Sequence, residues 1–274
     1  MKKPKAPPRL AVILSDLHVG STVAIWPEGF VSSEGVPIGL NRIQKWILDR
    51  WNATLAAIKQ ITNGDPYVLI INGDLTEGIH HKTLQVMSAD IGDQVKACAM
   101  LLAPVAADAH ALYIVLGTEC HTGNLEYILG KELGAVRNPE NGLHAFDELH
   151  LEIHGTYGTV RHHIGTAGSP YLESGGLGRA MNTEIMEAAR CGSRIPRWMM
   201  RAHRHKHGMV NDGNSMLGVT GAWQMLTRFG KKVVPAALCQ PSAMILDWRN
   251  REKNTLPQAH EIVTQPKPKR ILSV

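Results

Sequence analysis

Three short apolar runs, each ending in a polar motif, constrain this chain more than any other feature. Leu10-Ala-Val-Ile-Leu-Ser15 runs into Asp16-Leu-His18. Tyr67-Val-Leu-Ile-Ile71 runs into Asn72-Gly-Asp74, and Leu112-Tyr-Ile-Val-Leu116 into Gly117-Thr-Glu-Cys-His121. Between the first two, Ile43, Trp46, Ile47, Trp51, Leu55 and Ile58 recur at helical spacing, which predicts an amphipathic helix over about 43–62. Gly64-Asp-Pro66 stops it. A second helix is expected at roughly 82–103. Strand, helix, strand, helix, strand is the α/β pattern, with a ligand crevice at the carboxyl edge of the sheet.

Beyond a short helix after Asn124 the texture changes. Shorter strands are expected near 148–153, 157–162, 197–202, 216–220 and 243–248, interrupted by one helix at about 176–190. No solenoid-period repeat and no linker-like stretch divides the chain, so one domain is expected over 1–274. The ends, about 1–9 and 264–274, contain proline and basic residues and are expected to be flexible.

Bulk properties exclude several classes. Hydrophobic content is 44% and mean hydropathy −0.12, with no apolar run near the roughly 20 residues of a membrane helix. Met1-Lys-Lys-Pro-Lys5 looks like the start of a leader, but the apolar run behind it is short and meets Asp16, so none is expected. Cys98, Cys120, Cys191 and Cys239 form no C-x-x-C pair, which argues against a disulfide framework and for a cytoplasmic location. The net charge of +5 suits an anionic substrate or nucleic acid, only weakly.

Fourteen histidines are many for 274 residues, and several follow strands. Asp16 and His18 are two residues apart, so in an extended strand both would point the same way. Asp74 ends the second strand and His121 follows the third. His162 and His163 come after Thr159-Val160, and His203 and His205 after Arg197-Trp-Met-Met-Arg201. One such residue alone is an ordinary turn residue. Five strand ends carrying them form a carboxylate–imidazole set suited to divalent cations. Gathering these groups without a counter-charge would cost several kcal/mol, which a cation removes.

These motifs, taken in order from about Ala11 to His207, resemble the calcineurin-like metallophosphoesterases. The family's D-x-H matches Asp16 and His18, and its G-D-x-x-[DE] matches Gly73, Asp74 and Glu77. Its G-H-x-H corresponds to Ala202, His203, Arg204 and His205. Its lone earlier histidine, H-x-[GP], fits His163-Ile-Gly165 best, with His162 the second choice. Ser15-Asp-Leu-His-Val-Gly-Ser21 is similar to nuclease-type members. Gly73-Asp-Leu-Thr-Glu-Gly78 and the late Gly221-Ala-Trp-Gln224 are similar to phosphoesterases encoded by bacteriophages. One motif departs: where the family has G-N-H-[DE], Thr118 stands in the Asn position and His121 falls two residues late. The G-D-x-V-D-R-G signature of the family's protein Ser/Thr phosphatases is absent.

The resemblance implies a four-layer α/β/β/α sandwich, with two mixed sheets flanked by helices. It implies phosphoester hydrolysis by a hydroxide that two divalent ions activate, the ions being manganese, iron or zinc. Asp74 would bridge them. Asp16, His18 and His205 would hold the first, and His163 and His203 the second, with His162 or Thr118 as alternatives. His121 would be the catalytic proton donor or would replace the family's Asn as a ligand, with Thr118 or Glu119 in the other role. His81, Arg161 and Arg204 are candidate substrate contacts, with Arg201 and Lys206 as further phosphate clamps or a solvated rim. The glycine-rich helix start Ser174-Gly-Gly-Leu-Gly178 is a weaker candidate. A phosphodiesterase or nuclease is the first reading. A small-molecule phosphatase or nucleotide hydrolase, and a non-catalytic metal-bearing adaptor, are the alternatives. Phosphoester is the expected substrate, nucleic acid and oligomerisation stay open, and no membrane partner is expected.

Overall fold

The computed structural model describes residues 7–80, 83–123, 125–165, 173–233 and 239–265. Most of the basic residues of the two ends, and His81, lie outside the described residues.

Two mixed five-stranded sheets lie face to face. The first has the order β10-β9-β1-β2-β3: Gln258–Val263, Ser242–Asp247, Leu10–Leu14, Val68–Asn72 and Ala111–Val115. Its β1, β2 and β3 are parallel, while β9 and β10 run antiparallel. The second has the order β4-β5-β6-β8-β7: Leu149–Ile153, Thr156–Val160, Trp198–Arg201, Met216–Val219 and Gly208–Asn211. There β5, β6 and β8 are parallel, with antiparallel strands at both edges.

Period-2 alternation sorts each strand between two cores. Leu10, Val12, Leu14, Leu69 and Ile71 face outward onto helices α1 (Arg42–Thr62) and α2 (Ile91–Asp108), where Ile47, Trp51, Ile58, Leu101 and Leu102 cover them. Ala11, Ile13, Val68 and Ile70 face the other way, onto Val160, Trp198, Met200 and Met216 of the second sheet. Met199, Leu217 and Val219 on that sheet's far face pack against Leu177 and Met181 of α5 (Glu173–Arg190). Helix, sheet, sheet, helix is the expected layering.

Local signals explain most boundaries. The Asn41 side chain accepts the amides of Ile43 and Gln44, and Gln44 returns a bond to Asn41, so a capping box opens α1. Asn63, at φ 49°, closes it. The second helix starts at Ile91, later than its periodicity suggests. Asp90 accepts the Gly92 amide at 2.7 Å as its N-cap, and Ser88 donates to Asp93 at 2.8 Å. Two further helices, α3 (Glu119–Thr122) and α4 (Leu125–Glu132), follow β3, and α6 (Arg228–Val233) precedes β9. The edge strands β7 and β10 were not expected; both are partly exposed, with weak apolar patterning. No helix among the described residues is long and apolar enough to cross a membrane.

Candidate metal centre

The carboxyl ends of β1, β2, β3, β5 and β6 converge. Their loops are bound to one another before any side chain is considered: the Asp16 amide donates to Gly73 O at 2.9 Å and the His18 amide to Asp74 O at 2.9 Å. Gly73 is tightly enclosed. A Cβ there would lie 2.3 Å from His162 Nδ1 and 2.6 Å from Gly117 Cα, and its φ of +76° already disfavours other residues.

Backbone strain is concentrated here. Eight non-glycine residues among those described have positive φ, and five of them are Asp16, His18, Asp74, His203 and His205. Such conformations cost energy and persist where the surroundings over-determine them. They also change how Asp16 and His18 come together. The strand stops at Leu14, and these two side chains enter the site through left-handed turns, not through strand alternation.

Four groups of donor atoms result among the described residues. Two of them meet at Asp74: the first is Asp16, His18, Asp74 and His205, the second Asp74, His162 and His203; the remaining two, His18 with Glu77 and His121, and His80 with Cys120 and His121, lie beside them. In the first group His18 Nε2 lies 3.0 Å from His205 Nε2, 3.9 Å from Asp16 Oδ1 and 3.7 Å from Asp74 Oδ2, while His205 Nε2 is 3.5 Å from Asp16 Oδ1. Ligands about 2.1 Å from a tetrahedral ion stand roughly 3.4 Å apart, so these separations match the edges of a coordination polyhedron.

Hydrogen bonds behind the imidazoles set the tautomers. His162 Nδ1 donates to Asn72 O at 2.7 Å, which leaves Nε2 as a lone pair in the neutral ring. That nitrogen lies 3.1 Å from Asp74 Oδ2 without the geometry of a hydrogen bond, and Asp16 Oδ1 is likewise buried with no hydrogen-bond partner. His18 Nδ1 is 3.0 Å from Glu77 Oε2, an ion-pair contact without the geometry of a hydrogen bond, and its Nε2 faces His205 Nε2 at 3.0 Å. Acceptor therefore faces acceptor, and a proton or a cation must lie between them. Burial opposes charge on His162, yet Asp74 pushes its pKa up to about 10. Burial also opposes ionisation of Asp74, but His162 and His18 hold it well below the usual carboxylate range. His203 is lowered to about 4, by burial and then by His162. A divalent cation would replace the trapped proton and suit both carboxylates and the neutral imidazoles, so the residues fit the expected ions.

The surrounding residues fall into place around these groups. Asp74 Oδ1 accepts the Thr118 amide at 2.6 Å, and the Thr118 hydroxyl lies 3.2 Å from His203 Nδ1. Thr118 thus links two donors by hydrogen bonds. His121 Nδ1 donates to Glu77 O at 3.0 Å, and its ring stands edge-on to His18 at 4.7 Å. Glu77 also accepts from Gln224 Nε2 at 2.7 Å and meets His80 Nε2 at 3.1 Å. Glu119 is exposed.

Of the two neighbouring histidines the structure brings His162, not the first-choice His163, into a donor group. The Asn72 carbonyl draws His162 inward, whereas the exposed His163 ring packs outside it, 5.1 Å from His162 and 4.8 Å from His203. Arg161 is exposed and paired with Glu148 at 2.6 Å, and Arg204 donates to Gly165 O. His207 pairs with Glu261 away from both groups. Sequence reasoning did not find Asn72 as an orienting carbonyl or Glu126, which is fully buried behind the loops. Neither carries a motif signal.

No protein-family model and no curated protein matches the chain. Among solved structures, a novel archaeal phosphodiesterase is similar at 12% identity and TM-score 0.45, over 93% of this chain and 99% of that one. Vacuolar protein sorting 29 from Cryptosporidium parvum is similar at 12% and 0.44, over 95% and 100%. A putative 5′-nucleotidase from Staphylococcus aureus is similar at 12% and 0.42, over 96% of this chain and 56% of that one.

Proposed function

We propose that this chain is a metal-dependent phosphoester hydrolase of the calcineurin-like type, with a phosphodiester as its first substrate class. The observation that carries this reading is Asp74, one carboxylate common to two donor groups. Asp16, His18, Asp74 and His205 would hold one divalent ion, and Asp74, His162 and His203 the other. Such a pair supplies Lewis acidity at phosphorus and a nucleophile available near neutral pH.

The chain's own residues do the rest. Glu77 orients His18, and Asn72 orients His162, through their Nδ1 atoms. Thr118 fixes Asp74 through its amide and reaches His203 through its hydroxyl, taking up the place of the family's asparagine by hydrogen bonding. His121 is anchored at Nδ1, so its Nε2 can give a proton to the departing oxygen only from the imidazolium, a form that burial and then His18 disfavour in the metal-free site. Arg161 and Arg204 lie at the rim as phosphate contacts.

The test is metal content together with turnover of bis(p-nitrophenyl) phosphate, p-nitrophenyl phosphate and single- and double-stranded nucleic acid, with manganese added. Close to two ions per chain and hydrolysis of the diester support the reading. Two bound ions with no turnover of any phosphoester would replace it with the metal-bearing adaptor. A steep loss of nucleic-acid affinity with salt would mark a nuclease.

A further inference from the structure

The loop after β2 and helix α3 bring together His80, Cys120 and His121, each with a ligand atom within 4.8 Å of the others. None of the three belongs to the groups that meet at Asp74. The edges of a tetrahedral zinc site with nitrogen and sulfur ligands are roughly 3.4–3.6 Å long, so the three atoms need to draw together by little more than about 1 Å. Cys120 is exposed, and its side chain has room to turn toward the two rings.

Glu77 stands behind both histidines. Its Oε1 lies 3.1 Å from His80 Nε2, and its backbone carbonyl accepts His121 Nδ1 at 3.0 Å. Metal-binding imidazoles are held in this way, with one ring nitrogen on a carboxylate or carbonyl and the other on the ion. The two rings stand edge to face, with centroids 4.2 Å apart. Glu77 Oε2 also lies 3.0 Å from His18 Nδ1, so the set adjoins the Asp16 group without sharing a donor with it. The sulfur sets the preference. Carboxylates and imidazoles suit manganese as well as zinc, whereas a thiolate selects softer cations such as zinc and cadmium. Three protein ligands leave a fourth position to water. Cys120 is exposed and both rings are partly exposed, so an ion here can exchange with solvent.

We infer that His80, Cys120 and His121 form an inhibitory site for a thiophilic divalent cation such as zinc, separate from the two ions proposed at Asp74. Binding releases the Cys120 thiol proton to solvent and takes up the lone pair of His121 Nε2. His121 can then no longer carry a proton for the departing oxygen. The inhibition rests on the phosphoesterase reading; the binding does not.

The experiment titrates the manganese-loaded full chain with cadmium and with zinc. Cadmium bound to a thiolate gives an ultraviolet charge-transfer band that carboxylate and imidazole ligands do not. In the wild type the band should saturate at a height that corresponds to about one thiolate per chain. Cys120→Ser should abolish it, and His80→Ala should weaken cadmium binding about tenfold or more. Cys191→Ser, at the other exposed cysteine, should leave it intact. In turnover of bis(p-nitrophenyl) phosphate with manganese present, zinc should slow the wild type several-fold. The ratio of rates with and without zinc, taken within each variant, should return toward one in Cys120→Ser. Absence of the band, or its survival in Cys120→Ser, would overturn the site. A band accompanied by no zinc inhibition, or by equal inhibition of the wild type and Cys120→Ser, would overturn the control of His121. If manganese alone supports no hydrolysis of the diester, the phosphoesterase reading fails, and the cadmium band still decides whether the site exists.

Discussion

Asp74 meets the Thr118 amide through Oδ1 and His162 and His18 through Oδ2, so two sets of donors depend on one side chain. Removing a partner behind a metal ligand typically lowers affinity or activity about 10- to 100-fold. A ligand shared by both ions must cost more. Asp74→Asn is expected to lower turnover of bis(p-nitrophenyl) phosphate more than about 100-fold and to reduce metal content at both positions, which elemental analysis of the purified variant checks. Full occupancy with near-wild-type turnover would remove Asp74 from the bridging role. His162→Ala and His163→Ala make a sharper pair: the first should lose one ion per chain, the second should retain both. The identities of the donors were readable in the sequence because D-x-H, G-D and H-x-H fix residue types at strand ends. The choice between adjacent histidines was not, since it turns on the Asn72 carbonyl, 90 positions away. The left-handed turns at Asp16 and His18 were also hidden: Asp and His adopt positive φ more readily than most residues, but neither requires it.

Loops need holding as firmly as ligands do, and here a helix does it. Glu126, in the first turn of α4, is fully buried; its carboxylate accepts the Gly117 amide at 2.7 Å and the Leu75 amide at 3.4 Å. It therefore ties the loop after β2 to the loop after β3, on either side of Asp74. Burial pushes the Glu126 pKa up to about 8, against the pull of the Gly117 amide. The folded chain thus holds this proton more tightly than the unfolded chain, whose carboxyl titrates near 4.5. The associated stability is complete below about pH 4.5 and is lost as pH rises toward 8. In chelator, the unfolding free energy from urea titrations should fall between pH 5.5 and 8.5, by roughly 1 kcal/mol or more from this group. In Glu126→Gln that part of the slope should vanish. The amide reproduces the donor and acceptor of the protonated carboxyl present at pH 5.5, so the variant should match the wild type there and be the more stable of the two at pH 8.5. An unchanged slope would exclude Glu126 as the titrating group. The main strands were legible as apolar runs, and α1 as a periodic stripe. The start of α2 was not, because its Asp90 cap lies behind residues that carry no stronger stop signal. The strands β7 and β10 were missed because their order comes from the neighbour each pairs with, not from their own patterning.

Neither sheet can form the centre alone. Asp16, His18 and Asp74 follow strands of the first sheet, and His162, His203 and His205 follow strands of the second. What aligns them is the layer between the sheets, where Trp198 packs on Trp248 with ring centroids 5.9 Å apart and leaves no room for a side chain at Gly158. This two-sheet architecture came from the resemblance of the motifs; apolar periodicity marks strands but not which sheet they join. Ions bound across the layer would link the sheets, so folding and metal binding should be coupled. An ion at 100 times its Kd stabilises the folded state by about 2.7 kcal/mol per site, or at least about 5 °C in melting temperature. Chelation should therefore lower the melting temperature of the purified protein by that much or more, and added manganese or zinc should restore it. Unfolding in both states should be a single transition if the chain is one domain. Gly158→Ala separates alignment from ligation, because it leaves every donor in place. A Cβ there would fall 2.1 Å from the Trp198 ring, so the ring or the strand must shift, at a cost of about 1–3 kcal/mol. If the interlayer packing sets the donor geometry, this variant should lose metal affinity as well as stability, and manganese should raise its melting temperature less than that of the wild type. An equal rise in both would mean that the loops alone fix the centre, with the packing beneath them contributing only to stability.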